Sequence, residues 1–155
     1  MTLLRMDHVG INFADLEAAV AFFVELGFER QGEWSGDDPA VGRIIGLEGA
    51  RTDVAMLNTP DGHAQLELIR FREPSSPPGD PQAPAHTPGL RHLTFAVEGL
   101  DDVLARLQSH GAELMGELVE FGGYRLCYLR GPEGIILEVA EKLDQPGSGR
   151  DENGT

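Results

Sequence analysis

One cysteine, one lysine, one tryptophan and two tyrosines are spread through 155 residues, and aromatic side chains make up only 6% of the chain. The single Cys127 has no partner for an internal disulfide, which excludes a disulfide scaffold and fits a reducing compartment. No apolar run approaches the roughly 20 residues of a membrane span. The first residues, Met1–Asp7, lack the apolar stretch and small-residue cleavage site of a signal peptide, so a cytoplasmic address is expected. Basic residues are scarce too, with 12 Lys and Arg against 26 Asp and Glu, a net charge of −14. Such a surface repels phosphate backbones and anionic lipid, so nucleic-acid and membrane partners are not expected. The length suits one ordinary domain, or two small fused modules, with a real core.

What is present is an internal repeat. Residues 8–29, HVGINFADLEAAVAFFVELGFE, align without a gap on residues 92–113, HLTFAVEGLDDVLARLQSHGAE. His8 falls on His92, Leu16 on Leu100, Gly27 on Gly111 and Glu29 on Glu113. In the first copy Val9, Ile11 and Phe13 alternate with His8, Gly10 and Asn12, the period-2 mark of a strand with two unlike faces. Leu16, Ala19, Val20 and Phe23 then recur at helical spacing, with Asp15 as N-cap and Gly27 as the stop. In the second copy Leu93, Phe95 and Val97 alternate, and Leu100, Val103, Leu104 and Leu107 form the helical stripe.

The later part of each copy carries a Pro-acid-Gly turn feeding a strand with a central glutamate. These are Pro60-Asp61-Gly62 before Gln65–Leu68, and Pro132-Glu133-Gly134 before Ile136–Val139. Further strands are expected at Thr52–Leu57, Arg125–Leu129, Glu29–Trp34 and Glu113–Val119. Each copy then reads β-α-β-β-β, giving an α+β chain with a first module over 1–71 and a second over 91–143. Between them 72–90 carries six prolines, which exclude a helix or central strand and make it a linker, as tether or lid. The tail 144–155, rich in Gly, Pro and charge, is expected to lack order.

Alternation also assigns the polar residues. His8 points opposite Val9, Glu67 opposite Leu66 and Leu68, His92 opposite Leu93, and Glu138 opposite Leu137 and Val139. A carboxylate midway along a strand is costly to bury unless paired or metal-bound. Taken alone, each of the four is more often a hydrogen-bonded or solvated residue than a ligand. Their recurrence in two copies points instead to one shared divalent ion held by two imidazoles and two carboxylates, with Zn, Ni, Co, Fe and Mn all admissible. Tyr124 and Tyr128 share one face of their strand, with Arg125 and Cys127 on the other. Asn12 shares the His8 face. Asn12, Tyr124 and Arg125 are therefore candidate substrate contacts, against the plainer alternative that strand tyrosines pack.

At these residues the chain resembles the vicinal-oxygen-chelate superfamily: glyoxalase I, methylmalonyl-CoA epimerase, extradiol dioxygenases, fosfomycin-resistance enzymes and bleomycin-binding proteins. The resemblance runs over about residues 6–142. It rests on His8-Val9-Gly10-Ile11, Asp15-Leu16, Ala21-Phe22-Phe23 and Leu26-Gly27-Phe28, on Gly89-Leu90-Arg91-His92, and on Pro132-Glu133-Gly134 with Leu137-Glu138. It implies two βαβββ modules forming a cup-shaped mixed sheet with helices on its outer face, a metal centre in the cup, and commonly a homodimer. Carried over residue by residue, the ligands are His8, Glu67, His92 and Glu138, an order similar to glyoxalase I. The implied chemistry is proton transfer beside a carbonyl in a small oxygen-chelating substrate, as a lyase, isomerase or epimerase. Glu138 is the first candidate for the base and Glu67 the second. Arg91 stands where the epimerase pattern has a histidine. The alternatives are a small-molecule, antibiotic-binding resistance protein on the same fold and an extradiol-type dioxygenase.

Overall fold

The computed structural model describes residues 2–144; the expected tail lies outside them apart from Asp144. The first module runs β1 (Val9–Asn12), α1 (Leu16–Leu26), β2 (Glu29–Gly36), α2 (Pro39–Ile45), β3 (Arg51–Asn58) and β4 (Gln65–Glu73). The second runs β5 (His92–Val97), α3 (Leu100–Ser109), β6 (Glu113–Leu114), β7 (Val119–Phe121), β8 (Tyr124–Arg130) and β9 (Ile136–Lys142). The chain is α+β with a mixed sheet in each module. The first sheet is ordered β1-β4-β3-β2 and the second β5-β9-β8-β6, with β7 also on β8. In both, the opening strand lies parallel to the closing strand and every other pairing is antiparallel. A parallel neighbour requires a crossover, and α1 and α3 supply it.

Local chemistry explains the helix ends. The Asp15 side chain accepts from the Ala18 N–H at the start of α1, and Gly27 ends it at φ 122, a conformation that side chains with a Cβ rarely adopt. The seven-residue α2 was not anticipated. It stands on an Asp38 N-cap, Pro39 and a left-handed Gly46. Its Ile44 and Ile45 face solvent, so it shows no apolar period to read. The expected strand over Glu113–Val119 is broken into β6 and β7, which pair with opposite ends of β8.

One hydrophobic cluster serves both modules. Leu66 and Leu68 from β4, Leu137 and Val139 from β9, Phe22 and Phe23 from α1, and Leu100 and Leu107 from α3 are all buried in it. Burying side chains of this size contributes about 1.5–3 kcal/mol each. The modules meet through α1 against α3, through the edge-to-face rings of Phe28 and Phe95 with centroids 5.5 Å apart, and through Phe22, which packs on Gly131. The apolar face of each sheet is thus consumed by this core. Residues 74–91 contain no helix or strand.

Candidate functional site

Strand register sets the polar residues on the faces turned away from the core. On the first sheet Gly10, Glu67 and Met56 form a cross-strand row. His8, just before β1, places Nε2 at 3.3 Å from Glu67 Oε2 and Nδ1 at 3.0 Å from Asp7 Oδ2. The Asp7 hydrogen bond is the main cause of a raised His8 pKa, with burial opposing it and Glu67 adding to the rise. On the second sheet the equivalent row is Thr94, Glu138 and Tyr128. Thr94 Oγ1 donates to Glu138 Oε2 at 2.7 Å, and His92 Nε2 stands 3.8 Å from the same oxygen. The Tyr128 hydroxyl lies 3.4 Å from His92 Nε2. Burial first, and then the Glu138 carboxylate, push the Tyr128 hydroxyl above its ordinary pKa.

The four candidate ligands therefore come together as two His–Glu pairs. Among the described residues, no group of three or more His, Cys, Asp and Glu side chains is gathered where it could hold one metal ion. The donor set of each pair nevertheless fits a metal. His8 presents Nε2 toward Glu67 while Nδ1 faces a carboxylate, the outer-shell arrangement that orients metal-binding imidazoles.

The other candidates are dispersed. Arg125 lies on the opposite side of β8 from Tyr124 and Tyr128, where both guanidinium ends bond Asp101 at the start of α3, at 2.7 and 2.6 Å. Tyr124 is partly exposed at the far end of the Tyr128 face, beside Phe121. Asn12 lines a cleft of about 180 Å³ at the junction of the modules, with Arg91, Asp80 and Glu133. Cys127 is buried, and burial pushes its thiol pKa up. A larger cleft of about 610 Å³ between α1 and β2–β3 holds none of the four ligands; it is lined by Arg30, Glu33, Asp53 and Arg70. Those charges pair with one another, Arg30 with Glu33 and Arg70 with Asp53.

Three residues beside the pairs were not singled out from sequence: Asp7, Thr94 and, as a partner of His92, Tyr128. Alternation carried the signal for Thr94, two positions after His92 on the same face. Tyr128 required the β8–β9 register.

The linker reaches the same neighbourhood. Arg130, whose row on the sheet includes Ile136 and His92, donates to the carbonyls of Pro81, Gln82, Ala83 and Gly134. No helix among the described residues is long and apolar enough to cross a membrane.

Known proteins resemble this chain over most of its length. A glyoxalase family protein from Bacillus cereus is 41% identical, aligns over 93% of this chain and 97% of its own, and superposes with a TM-score of 0.90. The protein YaeR of Escherichia coli (strain K12) is 28% identical over 152 residues, covering 90% of this chain and 98% of YaeR. YwkD of Bacillus subtilis (strain 168) is 27% identical over 144 residues, covering 92% and 100%. The model of one family, glyoxalase/bleomycin resistance protein/dioxygenase, matches residues 7–128, and with the duplicated βαβββ modules this makes the chain a member of that superfamily.

Proposed function

We propose that the protein is a metal-dependent, glyoxalase-like enzyme that moves a proton beside a carbonyl in a small oxygen-chelating substrate, as a lyase or isomerase. Its centre takes His8 and Glu67 from one copy of the chain and His92 and Glu138 from a second. The observation that carries this reading is the pair geometry. Each module presents one imidazole Nε2 and one carboxylate within 3.3 and 3.8 Å of each other, on a sheet face the core does not use. Either pair alone is half a coordination sphere, and two His with two carboxylates make a set that first-row divalent ions accept. A homodimer with two such centres is the closed solution.

A bound divalent ion would supply Lewis acidity, stabilising negative charge on a substrate oxygen. The chain's own groups do the rest. Asp7 fixes the ring of His8, Thr94 fixes the carboxylate of Glu138, and a ligand glutamate accepts the carbon-bound proton. Tyr128, 3.4 Å from His92, walls the second pair, and the exposed Tyr124 and Phe121 lie farther along the same face. A free, buried Cys127 supports placing the enzyme in a reducing cytoplasm.

The competing reading is a binding protein without chemistry. The half-exposed Trp34 and the exposed Phe121 and Tyr124 favour it, because such rings stack on flat ligands. Metal analysis of the purified protein separates the two. One first-row ion per chain, lost from a His92→Ala variant, supports the enzyme. A stoichiometry near zero after metal-replete expression leaves only the binding protein.

A further inference from the structure

Arg125 and Arg130, both partly buried, engage their donors with Asp101 and with carbonyl groups. Arg91 is partly buried too, yet its Nε is cut off from solvent and has no hydrogen-bond partner among the described residues. It lines the cleft of about 180 Å³ where the linker, the end of β1 and the β8–β9 turn converge. Two acids border the same cleft, and both are turned to backbone. Glu133 holds the Ala14 N–H with both oxygens, and Asp80 Oδ1 accepts the Gln82 N–H at 2.9 Å. Asn12 adds an amide to the lining, while Ile11, Phe13, Leu90 and Ile136 make it largely apolar.

We propose that this cleft binds a small aliphatic monocarboxylate, with Arg91 as its anchor. None of His8, Glu67, His92 and Glu138 lines it, so the proposal stands without the metal-centre reading. A shielded donor of a charged group is costly to leave unmatched, and a carboxylate presents two oxygens in the geometry of the guanidinium fork. The cleft has the volume of about six water molecules, which limits the ligand to a short acid. Its apolar walls suit an alkyl end. The charges of Asp80 and Glu133 at the border disfavour a dianion such as phosphate or a dicarboxylate. Because the lining comes from both modules and the linker, occupancy should also stabilise their junction.

The test follows the full chain, ¹⁵N-labelled, through the Arg91 Nε–H signal, assigned by its loss in Arg91→Lys. At constant ionic strength propionate should shift that signal saturably and raise the thermal midpoint. Propionamide, which has the same shape without the charge, should do neither. Arg91→Met should weaken propionate binding about 10- to 100-fold, the range for hydrogen bonds to a charged group, read from the backbone N–H signals around Asn12 and Ile135. Arg91→Lys keeps the charge but not the fork, so it should recover only part of the affinity. Thermal midpoints without ligand show whether each variant is folded, and Arg91→Lys carries the comparison where Arg91→Met is not. An Arg91 signal that propionate leaves unmoved would overturn the assignment. So would equal binding of propionamide, tighter binding of phosphate than of propionate, or full affinity in the folded variants.

Discussion

The carboxylate of Glu133 accepts the backbone N–H of Ala14 with both oxygens, at 3.0 and 2.8 Å, joining the β8–β9 turn of the second module to the entry of α1 in the first. Glu133 is also the one non-glycine residue with positive φ among those described, at 52°. A left-handed glutamate costs about 1–2 kcal/mol, and a negative charge near a helix N-terminus recovers part of it. The two modules are thus pinned by a residue held in an unfavourable conformation.

Removing that carboxylate should loosen the module junction. Glu133→Ala is expected to lower stability by about 1.5–3 kcal/mol, the range for hydrogen bonds to charged groups. Glu133→Gly loses the same bonds but releases the backbone, so it should be the more stable of the two by roughly 1 kcal/mol. Urea midpoints of the pair check this; alanine outranking glycine would mean that the turn is not strained.

Arg130 ties the linker to the second sheet through the carbonyl oxygens of Pro81, Gln82 and Ala83, the shortest being Ala83 O at 2.8 Å. Arg130→Met keeps the apolar stem and removes the donors. Limited proteolysis should then cut within 74–91 roughly tenfold faster or more, since 1.4 kcal/mol of lost anchoring already gives that factor. Gly134→Ala should do the same, because a Cβ there would overlap the Pro81 backbone. Unchanged cleavage in both variants would show that the linker is not held by this anchor.

Asp53 accepts from Arg70 and Ser35 and pairs with Arg72, which also reaches Asp37. The Arg70 hydrogen bond, foremost, holds its carboxyl below the ordinary value of 3.8, against the opposing effect of burial. The folded chain therefore releases this proton more readily than the unfolded chain. Its stabilisation is complete above the ordinary carboxylate range and fades as pH falls through the lowered folded value. Asp53→Asn should cost about 1–2 kcal/mol at pH 7, and the gap from the unaltered protein should close toward pH 3. A gap that stays constant across that range would place the cost in packing rather than charge.

Mixing His8→Ala and His92→Ala chains tests where the metal centre forms. Either variant alone should bind little metal. After co-refolding at equal amounts, random pairing makes half the dimers mixed, and each mixed dimer holds one intact centre, so about a quarter of the sites should return. No recovery in dimers shown to be mixed would confine the centre to a single chain.

Much of this molecule was legible locally. The gapless match of His8–Glu29 on His92–Glu113 identified two β-α starts, and alternation placed Glu67 and Glu138 away from the leucines beside them. Asp15 and Gly27 marked the ends of α1 because caps act over only a few residues. Where local signals were faint, boundaries moved. β2 runs two residues past the expected Trp34, and α2, with exposed isoleucines, left no period.

By itself the sequence determined which face each residue occupies, since strand and helix periods are properties of neighbouring residues. It could not determine which faces meet. Packing of α1 against α3 consumed the apolar side of both sheets and left two separate His–Glu pairs rather than one quartet. The same tertiary choices sent Arg125 to Asp101 and set Thr94 and Tyr128 across from Glu138, while the cross-strand neighbours of Glu67 are Gly10 and Met56. Contacts between strands distant in the chain depend on register and on the balance of buried area across the fold, and a residue pattern does not encode either one locally.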